Sequence, residues 1–131
     1  MPVLDASVVV DYLSGGEHAD DVRSRMLGSP SSLWAPHLVD AEVGHVLRRA
    51  VAANELPATV ARAALEDLAD LPLRRAAHVG LLERAWRLRA NLSFYDGLYV
   101  ALAERLEMPL LTLDVRLAQA SGVRATVEVV A

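Results

Sequence analysis

The sequence contains neither Cys nor Lys, only 5% of its residues are aromatic, and no apolar run approaches membrane-spanning length. The absence of Cys excludes disulfides and thiolate metal sites. The absence of Lys excludes the Gly-x-x-x-x-Gly-Lys phosphate loop and disfavours phosphoacceptor domains that rely on a strand-end Lys. The opening residues also lack the pattern of a secretory signal. We therefore expect a cytoplasmic protein with no membrane segment.

The length of 131 residues predicts a single domain over 1–131, and 53% hydrophobic residues supply ample material for a core. Apolar spacing predicts strands that alternate with helices. The predicted strands are Pro2–Leu4, Leu33–Ala35, Leu73–Ala77, Leu110–Leu113 and Thr126–Val130. The predicted helices are Ser7–Leu13, Glu17–Leu27, Leu38–Ala53, Pro57–Leu71, His78–Ala90, Phe94–Leu106 and Val115–Ala120, with Gly122 as a candidate C-cap. This alternation indicates an α/β fold with a mostly parallel sheet.

Four acids stand at junctions between these elements. Asp5 and Asp114 follow apolar strands, whereas Glu42 and Asp96 lie early in helices. In an open parallel sheet such positions meet at one edge, where ligands bind. Four converging carboxylates without a Lys predict a hard divalent cation, Mg²⁺ or Mn²⁺. Two such ions about 4 Å apart activate water and stabilise the leaving oxygen of a phosphodiester.

Each acid also has a purely local interpretation. Asp5 and Asp114 are suitable N-caps for the helices that follow them, and Asp96 follows Ser93 with capping-box spacing. Glu42 suits the positive end of a helix dipole. Ser7 and Thr112 are either hydrogen-bond partners of the acids or ordinary cap and strand-end residues.

The formal net charge of −4 does not exclude a phosphate-bearing substrate. Of 17 acidic residues, setting aside the four junction acids leaves 13, which balance 13 basic residues, all Arg. Arg suits bidentate phosphate contacts. Candidates for contacts with an RNA backbone are Arg74, Arg75, Arg84, Arg87, Arg89 and Arg116. The alternative for these arginines is a solvated helix face.

Four segments together resemble PIN domains. Val3-Leu4-Asp5-Ala6-Ser7 resembles their opening strand, and Glu42 after Pro36 resembles their second acid. The segment from Ser93 to Ala103 resembles the helix with the third acid, and Leu111 to Leu117 resembles the segment with the fourth. Order, spacing and length are similar to the toxins of VapBC toxin–antitoxin systems over nearly the whole chain. Departures are Gly97, where Ala is common, and His45, where Asn often stands.

The resemblance implies a three-layer α/β/α PIN domain with about five strands. It also implies a Mg²⁺- or Mn²⁺-dependent endoribonuclease toxin with Asp5, Glu42, Asp96 and Asp114 as metal-binding acids. Ser7 and Thr112 would be their neighbours. RNA, a cognate antitoxin and a homodimer that assembles further with antitoxin are the implied partners. Two alternatives stay open: a catalytically inactive protein-interaction module of the same fold, and a metal-dependent DNase or other phosphoesterase.

Overall fold

A computed structural model describes residues 2–27 and 33–130. Its strands are β1 (Val3–Leu4), β2 (Leu33–Pro36), β3 (Leu73–Ala76), β4 (Leu110–Thr112) and β5 (Val127–Val129). Its α-helices are α1 (Ala6–Ser14), α2 (Ala19–Leu27), α3 (Leu38–Ala52), α4 (Ala58–Asp70), α5 (Leu82–Arg87), α6 (Phe94–Leu106) and α7 (Val115–Gln119). Among these described helices, none combines the length and apolar character that a membrane span requires.

The five strands form one sheet in the order β3-β2-β1-β4-β5, and every pairing is parallel. The central strand β1 has only two residues, yet Val3 pairs with Trp34 on one side and with Leu110 on the other. Val3, Leu4, Leu110 and Leu111 are all buried, which explains why these strands are apolar without alternation. The predicted α/β fold with about five largely parallel strands is confirmed.

The strand order reverses beside β1. From β1 the chain runs through β2 to β3 at one edge, and it then crosses back to β4 and β5 on the other side. Right-handed crossovers place the helices of these two halves on opposite faces. Accordingly, α1 packs against α2, α3 and α4, whereas α5 packs against α6. The carboxyl ends of β1 and β4 therefore flank the switch point, the place where open α/β sheets bind ligands.

The predicted helix His78–Ala90 is wrong in its extent. The chain forms a 3₁₀ turn over Val79–Leu81, and α5 spans only Leu82–Arg87. The reason is tertiary: Nε2 of His78 accepts a hydrogen bond from the backbone N–H of Leu38 at 2.9 Å, which fixes this residue against the start of α3.

The predicted C-cap at Gly122 is also wrong. The last helix, α7, is capped by Ala120. Gly122 lies beyond that cap with φ +83°, a left-handed conformation that glycine adopts readily.

Helix α6 approaches α5 closely at Gly97. A Cβ at Gly97 would lie 3.1 Å from the carbonyl oxygen of Ala85 and 3.2 Å from its Cα. A Cβ at Gly44, on α3, would meet no atom within 4 Å. The two helical glycines therefore provide a matched comparison.

We expect Gly44→Ala to raise the free energy of unfolding by up to about 1 kcal/mol, because Ala favours the helix over Gly. Gly97→Ala is expected to lose this gain, because α5 must shift to admit the methyl group. Urea unfolding of both variants measures the difference. An equal gain in the free energy of unfolding for both variants would contradict the close approach of α5 and α6 at Gly97.

Candidate metal-binding acid site

The four predicted acids come together around one pocket of about 420 Å³. Asp5 lies between β1 and α1, and Asp114 lies between β4 and α7. Glu42 lies one turn after the start of α3, and Asp96 is the third residue of α6. Four elements distant in sequence thus each contribute one carboxylate to the switch-point edge of the sheet.

Asp5 is the most deeply held of these acids, with 7% of its surface exposed. Its Oδ1 accepts hydrogen bonds from Oγ of Ser7 at 2.5 Å and from the backbone N–H of Val8 at 3.1 Å. Its Oδ2 accepts one from Oγ1 of Thr112. A carboxylate offers about four acceptor positions, so Asp5 still has capacity for a ligand.

The two hydroxyls are oriented by backbone donors from the end of β4. Ser7 Oγ accepts from the N–H of Leu113 at 3.1 Å, and Thr112 Oγ1 accepts from the N–H of Asp114 at 2.9 Å. Each hydroxyl therefore directs its own hydrogen to Asp5. This arrangement favours an ionised Asp5, because an ionised carboxylate only accepts hydrogen bonds.

The local interpretations of three acids are also correct in part. Asp5 is the N-cap of α1, and Asp114 is the N-cap of α7 through a 2.9 Å bond from the N–H of Arg116. Ser93 caps α6 by accepting from the N–H of Asp96 at 3.1 Å. Capping uses only part of a carboxylate's acceptor capacity. Cap and ligand are therefore compatible roles at these positions.

The surroundings of three acids disfavour the ionised form of each carboxyl group. Burial raises the pKa of Asp5, with a smaller contribution from the charge of Asp96. Burial also raises the pKa of Glu42, and the charges of Asp96 and Asp5 add to the effect. The pKa of Asp96 is raised by burial and by Asp114. Each of these acids would be more easily ionised with a cation nearby.

Asp114 differs because Arg116 holds it. The guanidinium of Arg116 binds both carboxylate oxygens, with Nε 3.2 Å from Oδ1 and an Nη 2.9 Å from Oδ2. This contact lowers the pKa of Asp114 below its usual value. The Arg116 side chain is 87% exposed. Exposed ion pairs contribute little stability, so Arg116 can readily exchange Asp114 for another partner.

The other candidate arginines lie in different surroundings. Arg75 binds Asp40 and the carbonyl oxygens of Leu68 and Leu73, which ties α3, α4 and β3 together. Arg84 binds Glu104 and the carbonyl oxygen of Gly122.

The remaining three candidates are exposed. Arg74 lies over the Trp34 ring at 5.7 Å, and Arg89 lies over the Trp86 ring at 4.4 Å. Arg87 pairs with Glu83 on the same helix. Of the six candidates, Arg116 is the one placed against the acids; it also lines a neighbouring cavity with Ser93, Asp96 and Asp114.

Sequence reasoning missed two residues of the pocket. Asp11 lines it from α1, and Tyr99 lines it from α6. Helical spacing was the available signal, because Asp11 follows Ser7 by four residues and Tyr99 follows Asp96 by three. Asp11 also accepts a 2.8 Å hydrogen bond from the N–H of His18, which fixes the turn after α1.

The donor set fits a hydrated hard cation. Within residues 2–27 and 33–130, no three acidic or histidine side chains are close enough to form a ready-made metal cluster. Mg²⁺ commonly takes one or two carboxylates directly and keeps several of its waters. Oxygen donors, uncompensated charge and room for water match that preference.

Comparison with known proteins is consistent with this geometry. The sequence pattern of the PIN domain family matches residues 3–123. Ribonuclease VapC1 of Mycobacterium tuberculosis is 50% identical over 130 residues, which are 98% of this chain and 96% of that protein. The crystal structure of M. tuberculosis VapC20, a Sarcin-Ricin loop cleaving toxin, has a TM-score of 0.68 at 18% identity, covering 94% of this chain and 96% of the other. A toxin–antitoxin complex from Klebsiella pneumoniae has a TM-score of 0.65 at 18% identity, and the match covers 98% of this chain and 97% of the other.

The chain therefore belongs to the PIN domain family. Within that family its sequence is similar to that of a VapC ribonuclease, and the two solved structures share its fold. The family resemblance and the α/β fold predicted from the sequence are confirmed.

The raised pKa values predict a pH-dependent stability effect in the metal-free protein. A carboxyl with a raised pKa in the folded state costs stability increasingly as the pH rises above its unfolded-state pKa, and in full above the raised pKa. In EDTA near neutral pH, we expect Asp96→Asn to have a higher melting temperature than the parent. The difference between the two melting temperatures is expected to narrow as the pH falls toward about 4, the ordinary aspartate pKa, where the parent carboxyl is also neutral.

Thermal melts of both proteins across this pH range measure the two melting temperatures. Because both proteins share all other titrating groups, the contributions of those groups cancel in the difference. A variant that melts below the parent near neutral pH would contradict the raised pKa of Asp96.

Proposed function

We propose that this protein is a Mg²⁺- or Mn²⁺-dependent endoribonuclease and the toxin of a type II toxin–antitoxin system. One observation carries the proposal: four carboxylates from four separate elements line one pocket at the switch point of the sheet. A purely structural role does not explain why Asp5, Glu42 and Asp96 share one pocket although burial raises the pKa of each. The similarity to a VapC ribonuclease supports RNA as the substrate.

In this proposal Asp5, Glu42, Asp96 and Asp114 hold the metal, directly or through its waters. When bound, the metal supplies an activated water and stabilises negative charge on the phosphodiester. The protein's own contribution is to fix these acids. Ser7 and Thr112 clamp Asp5 by hydrogen bonds.

Arg116 is the proposed contact for a substrate phosphate. It binds Asp114 in a solvent-exposed ion pair, and it faces the cavity next to the acid pocket. If Asp114 held a cation, Arg116 would lose this partner and its guanidinium would be available to a phosphate. Arg binds phosphate in the same bidentate geometry with which it binds carboxylate.

The proposal includes a cognate antitoxin that blocks the pocket, and a homodimer able to assemble further with it. The shared fold with a toxin–antitoxin complex supports such a partner. Exposed apolar side chains on α4, Val60 and Leu65, are available for an interface. We further propose that residues 1–131 act as one domain in the cytoplasm.

We expect Asp96→Asn and Glu42→Gln each to lower RNA cleavage by about a hundredfold or more, because each removes a carboxylate that holds the metal, and the metal stabilises the transition-state charge. Both variants are expected to stay folded. Cleavage of a fluorescent RNA with Mn²⁺, and its loss in EDTA, measures the effect.

Glu66→Gln is the matched control, since Glu66 is 70% exposed in a surface pair with Arg62. It should cleave like the parent. The nuclease proposal is wrong if the acid variants also cleave like the parent. Digestion of DNA of the same sequence in parallel separates a ribonuclease from a DNase.

Arg116→Ala should weaken RNA binding several-fold, because one phosphate contact is lost. The plot of the logarithm of the binding constant against the logarithm of the salt concentration should become less steep, with its slope falling in magnitude by about one. Titrations at several salt concentrations, with Mn²⁺ and an RNA that carries nuclease-resistant phosphorothioate linkages, measure this slope while the four acids stay intact. Arg62→Ala, at an exposed arginine on α4, is the control. An unchanged slope for Arg116→Ala would remove Arg116 from the substrate contacts.

A further inference from the structure

Tyr99 places a buried hydroxyl in the acid pocket. It follows Asp96 by three residues on α6, so both side chains lie on the same side of the helix. Only 1% of the Tyr99 surface is exposed, and the residue belongs to the hydrophobic core. Its ring is thus fixed by packing, while its hydroxyl reaches the pocket that the four acids line.

This hydroxyl has no hydrogen-bond partner in the structure. Among residues 2–27 and 33–130, Tyr99 Oη is the one buried side-chain nitrogen or oxygen atom in that state. Buried hydroxyls are nearly always hydrogen-bonded, so an exception indicates a partner that forms in another state of the site.

Glu42 is the neighbour best suited to be that partner. The two side chains line the same pocket, close enough for the charge of Glu42 to act on the Tyr99 hydroxyl. A tyrosine hydroxyl is protonated at neutral pH and can donate a hydrogen bond. Asp5 is less suited, because three donors already bind it.

The role of Glu42 explains why such a donor matters. Asp5 is fixed by two hydroxyls and a backbone N–H, and Asp114 is fixed by Arg116 and the helix it caps. Glu42 has a longer side chain and lies on α3, away from the hydrogen bonds that end β4. A donor on α6 would select one orientation of its carboxylate.

We propose that Tyr99 is a positioning residue for the metal site: its hydroxyl donates to the carboxylate of Glu42 and holds it in the orientation that ligates the cation. This inference rests on the proposed function and adds a residue to it. Groups that orient metal ligands commonly change metal affinity by about 10- to 100-fold when they are removed.

Tyr99→Phe removes the hydroxyl and keeps the ring in the core. We expect the dissociation constant for Mn²⁺, measured by calorimetry, to rise by about tenfold. Melting of the metal-free protein is expected to stay unchanged or rise, because the variant no longer buries a polar group without a partner. RNA cleavage is expected to fall at limiting Mn²⁺ and to recover at excess Mn²⁺.

Tyr95→Phe is the matched control. Tyr95 adjoins Asp96 and undergoes the same chemical change, but it is 57% exposed. The Mn²⁺ affinity and the melting temperature of Tyr95→Phe should equal those of the parent.

The outcomes separate the two proposals. If the parent binds Mn²⁺, Asp96→Asn does not, and Tyr99→Phe binds like the parent, the role of Tyr99 is overturned and the metal site stands. A lower metal-free melting temperature for Tyr99→Phe would show a structural hydroxyl and also overturn the inference. If the parent itself binds no Mn²⁺, the proposed function fails together with it.

Discussion

Burial of several carboxylates in one shared pocket is the constraint around which this structure is arranged. Burial and mutual repulsion raise the pKa of Asp5, Glu42 and Asp96, so their ionised forms oppose folding. The fold tolerates this because the acids occupy the rim of the sheet and a largely apolar core lies beneath them. A divalent cation relieves the repulsion, which links metal binding to stability through the same three groups.

Asp5 connects this electrostatic site to the sheet. Its hydrogen bonds from Ser7 and Thr112 join the start of α1 to the end of β4, and the backbone of Leu113 and Asp114 orients both hydroxyls. The very short strand β1 is therefore held by side-chain bonds at its end as well as by its ladders. The same hydrogen bonds that join α1 to β4 also hold the Asp5 carboxylate in place for a ligand.

Much of the fold follows from local signals, and part of the site follows from them too. Apolar strands ending in acids predicted a parallel sheet, and the structure has one in the order β3-β2-β1-β4-β5. The helix predicted over His78–Ala90 begins later, because His78 caps α3 from a distance of forty residues. The arginines were equivalent in sequence, yet Arg75 and Arg84 serve internal ion pairs and Arg116 faces the acids. Tyr99 and Asp11 were not identified from the sequence, although helical spacing relates them to Asp96 and Ser7.

The alternation of strands and helices, and the four junctions that carry Asp5, Glu42, Asp96 and Asp114, follow from the amino-acid sequence alone. These features depend on side-chain periodicity and on the common direction of parallel strands, both of which are encoded locally. The pairing of Asp114 with Arg116 is local as well, because the two residues are two positions apart. The burial of Asp5, Glu42 and Asp96 in one pocket, and the position of Tyr99 beside them, arise only in the folded chain. Burial and convergence depend on which residues distant in the chain become neighbours in space.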